Sequence, residues 1–164
     1  MENFLGSFPS EIFIQLVAAV LLGAFVGLER EVKRKEAGMR TYALVSLGSA
    51  LFVVVAVQVM EQFLAMGHTT FDPTRILQAV AMGIGFLGMG IIIFRDPYVT
   101  GATTAAGVWV AAAIGAAIGF QLYWIAVIAS FLALFILAGL RRAEERWIGK
   151  GKDDEQKKST EGYG

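Results

Sequence analysis

Residues 104–140, TAAGVWVAAAIGAAIGFQLYWIAVIASFLALFILAGL, contain no Lys, Arg, Asp or Glu. A helix needs about 20 mostly apolar residues to cross a bilayer core about 30 Å thick. This stretch is long enough for two crossings, and Gly119-Phe120-Gln121 marks the turn between them. Three more stretches are free of charge, Ile12–Leu28, Thr41–Met60 and Ile76–Phe94, and each suits one crossing. Their apolar residues run on all faces instead of with the period of an amphipathic helix or strand, which is the lipid-embedded pattern. The sequence therefore predicts an all-α polytopic membrane helix bundle. Its five transmembrane helices are expected at roughly 10–28, 41–62, 75–94, 104–119 and 122–140.

Composition agrees. Of 164 residues 56% are hydrophobic, and the formal net charge is zero only because segregated charges cancel. The mean hydropathy is +0.62. Without Cys the chain can form neither disulfides nor thiolate metal sites. The start Met1-Glu2-Asn3-Phe4 lacks the basic region of a signal peptide. A transmembrane domain is expected over 1–148, its last residues a short interfacial helix with Trp147 at the headgroups. A disordered cytoplasmic tail is expected over 149–164, where Gly, Lys, Asp and Glu dominate.

The basic residues set the orientation. Arg30, Lys33, Arg34, Lys35 and Arg40 fill the first loop, Arg95 the third, and Arg141 to Lys158 the tail, while Arg75 alone falls on the opposite side. The positive-inside rule puts the N-terminus outside and the C-terminus in the cytoplasm. Thr41 is expected to cap the second helix. Asp72-Pro73 is expected to open the third, with Asp72 and Arg75 paired at i, i+3, and Arg95-Asp96-Pro97 to end it. Gly38–Ala43 and Gly101–Ala106 echo each other as helix starts, which raises a parallel repeat of helices 1–2 and 3–4.

Small residues are the loudest packing signal, because in lipid close backbone approach drives helix association. Gly23 and Gly27 form a GxxxG in the first helix. Thr103, Gly107, Ala111, Gly115 and Gly119 recur at every fourth residue of the fourth, which is expected to be central. Gly83, Gly85, Gly88 and Gly90 crowd the third, where each costs roughly 1 kcal/mol of helix propensity, so a break or a cavity-lining backbone competes there with packing.

The charged residues sit at helix ends, where snorkelling and anchoring account for most of them. Glu29 follows the GxxxG face by two residues and is expected to be drawn inward with Arg40 or Arg30 as partner. No carboxylate lies at a midplane position, where ion carriers usually need one. No phosphate-binding loop, zinc-hydrolase motif or catalytic carboxylate pair occurs, so no catalytic residue and no cofactor are expected. His68 stands alone in the outer loop and reads as a solvated polar residue. The basic residues abut helices, where anionic lipid explains them without nucleic acid.

Three blocks resemble the signatures of a known family. They are Gly23–Arg30 with Ala37–Val45, Asp72–Ile76 leading to Gly83–Gly90, and Gly101–Trp109 with Ala112–Gly115. Together they resemble the MgtC/SapB family of bacterial inner-membrane proteins and cover most of residues 20–120. The resemblance implies about five spans and a role in growth or survival when magnesium is scarce. Its best-described members are virulence factors inside macrophages and are linked to restraint of the F-type ATP synthase, and many relatives are labelled magnesium transporters. Two departures favour a shorter, SapB-like member and count against carrying over the virulence role: the cytoplasmic C-terminal domain of the virulence-type members is not expected here, and Thr103 stands where the family often has Asn.

Two functions follow as expectations. The first is a non-enzymatic protein that serves adaptation to low magnesium by binding a membrane partner or small ligand. The alternative is a transporter or channel for Mg²⁺ or another small solute. Glu29, Arg30, Arg40 and Thr41 are expected to cluster with Thr103 and Thr104 on the cytoplasmic side, with Glu29 held as an anion by two helix N-termini and paired to Arg40. Asp72 and Arg75 are expected to anchor the third helix on the outer side. The short, Gly-rich helices favour a homodimer.

Overall fold

A computed structural model of the chain describes residues 8–67, 72, 74–95 and 98–140. The expected tail, the interfacial helix around Trp147, the lone His68 and the Asp96-Pro97 stop lie outside the described residues. Five α-helices follow in order: α1 (Phe8–Val32), α2 (Met39–Ala65), α3 (Thr74–Ile91), α4 (Ala102–Gly119) and α5 (Tyr123–Phe135). A π-helical turn, Ile136–Leu140, continues α5. Four of them are long and apolar enough to cross a membrane. The apolar fifth segment, Tyr123–Gly139, has 17 residues, at the lower end of what can span. With large apolar side chains such as Phe13, Phe52, Phe86, Trp124 and Phe135 turned outward, this is a multi-pass membrane bundle.

α1 stops where backbone bonding reverses. Lys35 N–H donates to the Arg30 carbonyl and Arg34 N–H to that of Glu31, both at 3.0 Å, with Arg34 left-handed at φ 49°. This is the 6→1, 5→2 closure of a helix C-terminus, made without the usual glycine. α4 ends the same way, with Gln121 at φ 61° and Leu122 N–H donating to the Ala117 carbonyl at 2.8 Å. The expected turn at Gly119-Phe120-Gln121 is therefore where the chain turns.

The other helix ends differ from expectation. α2 begins at Met39, so Thr41 lies inside the helix and caps nothing. Its first N–H is met instead by a carboxylate from α1, Glu31 Oε2, 3.1 Å from Met39 N. α3 stops at Ile91, short of the expected Phe94, and a two-stranded antiparallel hairpin follows: β1 (Ile93–Arg95) pairs with β2 (Tyr98–Thr100) in the register Ile93↔Thr100, Phe94↔Val99. The run Ile91-Ile92-Ile93 favours this, since β-branched residues lose rotamer freedom in a helix and pack well on a pleat. Gly101 then turns the chain at φ +86°, where a side chain would run into the Ile91 carbonyl.

α4 occupies the middle of the bundle and contacts the other four helices. It buries Thr104, Gly107, Val108, Ala111, Ile114, Gly115, Ile118 and Gly119 among others. A Cβ at Gly107 would overlap the Tyr42 hydroxyl, and one at Gly115 the Ser46 carbonyl oxygen; at Gly119 it would lie 2.6 Å from Val53 Cβ. α1 approaches α2 as closely: a Cβ at Gly23 would lie 2.7 Å from Ser46 Cβ, and one at Gly27 2.8 Å from Met39 Cα. The core is thus α1, α2 and α4 packed backbone to backbone. α5 joins it through an edge-to-face contact of Phe131 with Phe25, centroids 5.5 Å apart.

Of the two readings of the α3 glycines, close packing finds almost no neighbour among the described residues, and the cavity-lining reading fits Gly83. The helix buries no residue. A Cβ at Gly83, Gly85 or Gly90 would meet nothing within 4 Å, and one at Gly88 only Ala105 Cβ at 3.7 Å. A half-open cavity of about 870 Å³ separates α3 from α2.

Candidate functional site

The GxxxG face of α1 also carries Arg30, seven residues beyond Gly23 and three beyond Gly27. Residues so spaced share one side of a helix. Close packing of that side on α2 draws Arg30 under cover, leaving it 4% exposed. Its guanidinium Nη1 lies 3.5 Å from Glu29 Oε2, and Nη2 donates to Thr104 Oγ1 of α4 at 3.4 Å. The Thr104 hydroxyl donates onward to Glu36 Oε2 at 2.6 Å, which ties the loop after α1 to the start of α4. Tyr42 of α2 donates its hydroxyl to the Thr104 carbonyl at 3.2 Å, its ring lying over Gly107. Lys33 Nζ, one turn along from Glu29, lies 2.8 Å from Glu29 Oε1.

Two carboxylates and two cations therefore meet at the end of the bundle where α1 leads into α2, crosslinked by one threonine. The Thr104 hydroxyl, more than any nearby charge, holds the Glu36 carboxyl below its ordinary pKa, because a hydrogen bond to the charged form favours it. Arg30 Nε is buried without a hydrogen-bond partner among the described residues, as is Ser46 Oγ deeper between the helices. An uncommitted buried guanidinium donor can hold one more acceptor, a water or an anionic group.

Of the residues expected at this site, Glu29, Arg30 and Thr104 come together. Arg40, Thr41 and Thr103 are exposed and stay apart from it. Glu29 meets Lys33 and Arg30 instead of Arg40, and the anion at the start of α2 is Glu31. The Thr103 register fails for a geometric reason. A step of four residues advances about 40° more than a full turn, so a face centred on Ala111 and Gly115 carries Thr104 inward and Thr103 outward. Glu36 and Tyr42 were missed. The signal for Tyr42 was a phenolic hydroxyl in an apolar run, which needs a partner when buried. Glu36 gave no signal in a mixed-charge loop.

At the opposite end Asp72 Oδ1 accepts from the Thr74 N–H at 2.9 Å and from the Thr74 hydroxyl at 2.6 Å. These bonds, with a smaller contribution from Arg75, lower the Asp72 pKa. Asp72 thus caps α3 and makes no ion pair within 4 Å with Arg75, which stands exposed. Among the described residues no three His, Asp or Glu side chains gather to hold a metal ion.

The chain resembles several known proteins across these same elements. It is 42% identical to SrpB of Synechococcus elongatus over 82% of this chain and 78% of the relative. It is 37% identical to YhiD of Escherichia coli K12 over 86% of this chain and 66% of the relative. With MgtC of Salmonella typhimurium LT2 it shares 36% identity over 89% of this chain and 58% of the relative. The chain thus spans somewhat less than two thirds of the length of YhiD and MgtC. No solved structure matches it. Residues 16–146, from within α1 past the end of α5, match the MgtC family, so the bundle that brings Arg30 and Thr104 together is that of a member of the MgtC family.

Proposed function

We propose that this chain is a non-enzymatic protein of the bacterial inner membrane, oriented N-out and C-in, that serves adaptation to low magnesium by binding a membrane partner or a small ligand. The magnesium link rests on relatives: one is named MgtC, and YhiD carries the name "Putative magnesium transporter YhiD". The observation that favours binding over conduction is the closed α1–α2–α4 core, where Gly115 sits against the Ser46 carbonyl and Gly107 against Tyr42. Mg²⁺ gives up its water reluctantly and is usually held by carboxylates with waters retained. A core closed backbone to backbone leaves such an ion no room. The binding surface in this reading is the Arg30–Thr104–Glu36 end, with a membrane complex such as the F-type ATP synthase, or a second copy of the chain, as candidate partner.

The transporter reading keeps its support from the name of YhiD. Reconstitution separates the two. Purified chain in liposomes loaded with a Mg²⁺-sensitive dye should leak no faster than empty liposomes. The same chain should restore growth of a magnesium-sensitive strain at low Mg²⁺, and Arg30→Gln at equal membrane abundance should not. Saturable Mg²⁺ uptake by the liposomes would overturn the proposal.

A further inference from the structure

The cavity between α2 and α3 belongs to none of the packing described above. Thr41, Val45, Gly48 and Phe52 line one wall, and Arg75, Ala79, Gly83 and Leu87 line the other, among further apolar residues. The two helices run antiparallel, so Thr41 and Leu87 mark its cytoplasmic end and Arg75 its outer end. Two glycines hollow it: a Cβ at Gly48 or at Gly83 would meet nothing within 4 Å. From Arg75 to Leu87 the wall runs about 18 Å along the helix. One leaflet of hydrocarbon is about 15 Å deep. The groove is therefore at least as long as a lipid acyl chain is deep, lined mostly by apolar residues with Thr41 and Ser49 as its uncharged polar members, and open on one side.

Its outer mouth carries one charge. Arg75 lines the groove and makes no ion pair among the described residues. Glu61 and Asp72 share this side, but neither lines the groove, and Asp72 is engaged with Thr74. A single cation over an 18 Å apolar slot matches an anion joined to an acyl chain. We infer that the α2–α3 groove is a binding site for an acidic phospholipid of the outer leaflet, its phosphate on Arg75 and one acyl chain lying between Gly48 and Gly83.

The test uses the full chain in nanodiscs of mixed phosphatidylglycerol and phosphatidylethanolamine. Retained lipid is read by native mass spectrometry, and contacts by a phosphatidylglycerol bearing a photoreactive acyl chain. The expected result is preferential retention of phosphatidylglycerol and crosslinks on α2 and α3 along the groove. One basic side chain near a membrane surface changes affinity for acidic lipid about fivefold, so Arg75→Gln should lower the preference by about that factor. Gly83→Leu fills open space and should abolish the groove crosslinks with the melting temperature kept, and Gly85→Leu, away from the groove, should not. Equal retention of the two lipids, or a preference untouched by both Arg75→Gln and Gly83→Leu, would reduce the groove to ordinary annular lipid and overturn the inference. So would disulfide dimers in membranes from a Gly83→Cys variant, since a second copy would then fill the groove.

Discussion

A single methyl group added at Gly115 should destabilise the bundle, whereas the same methyl added at Gly85 should not. At Gly115 the new Cβ would press on the Ser46 carbonyl oxygen and lie 2.7 Å from Ser46 C and 2.8 Å from Ser46 Cα. These are backbone atoms of a neighbouring helix and cannot rotate away. Ordinary contact at 3.4 Å or more is recovered only if α4 moves off α2 by well over half an ångström. A gap of about 0.5–1 Å forfeits a quarter to a half of each dispersion contact across the interface. Overpacking costs about 1–3 kcal/mol. The same movement stretches the Tyr42–Thr104 hydrogen bond, worth roughly 1 kcal/mol. Gly115→Ala should therefore lose roughly 2–4 kcal/mol, seen as a melting temperature lower by at least about 5 °C. Gly85 has nothing within 4 Å of an added Cβ, so Gly85→Ala should gain up to about 1 kcal/mol of helix propensity. Circular dichroism melts of both variants in one detergent measure the difference. Equal melting temperatures for the two variants would refute the backbone-to-backbone packing of α4 on α2.

Thr104→Val keeps the shape of the side chain but removes the hydroxyl joining Arg30 to Glu36, and should cost about 1–3 kcal/mol by leaving buried Arg30 underbonded. The Glu36 pKa is lowered in the fold, so its bond to Thr104 stabilises at pH above the ordinary carboxylate range and is lost as pH falls through the lowered value. The gap between wild type and Thr104→Val should therefore narrow toward strong acid to the part that Arg30 contributes, and a gap of constant size at all pH values would count against the Glu36 bond. Gln121→Gly should raise the melting temperature by relieving a left-handed non-glycine residue that costs about 1–2 kcal/mol, partly offset by the greater unfolded-state freedom of glycine. A Cys placed at Gly67 in this cysteine-free chain should react with an impermeant maleimide from the outside of intact cells; labelling only after lysis would reverse the proposed orientation.

The helices themselves were legible because lipid cannot hydrogen-bond a backbone. A crossing segment must be long, apolar and uncharged, and that requirement is written residue by residue in the sequence. The same logic located the turn at Gly119-Phe120-Gln121 and the buried face of α4, since a repeated small residue leaves room only for another backbone. What the sequence could not decide was which small residues find a neighbour. Gly115 and Gly83 look alike in composition, yet one is buried against Ser46 and the other opens into a groove, because close approach depends on where a second helix crosses. Nor could the sequence rank Glu29 and Arg30 for depth. Arg30 goes in because it continues the Gly23–Gly27 face; it meets Thr104 of α4 there, and Glu36 and Tyr42, from two further segments, bond to that same threonine. Helical periodicity reaches a few turns along one element, whereas a polar site at the end of a bundle is assembled across elements, and only the tertiary packing of α1, α2 and α4 brings its atoms within bonding distance.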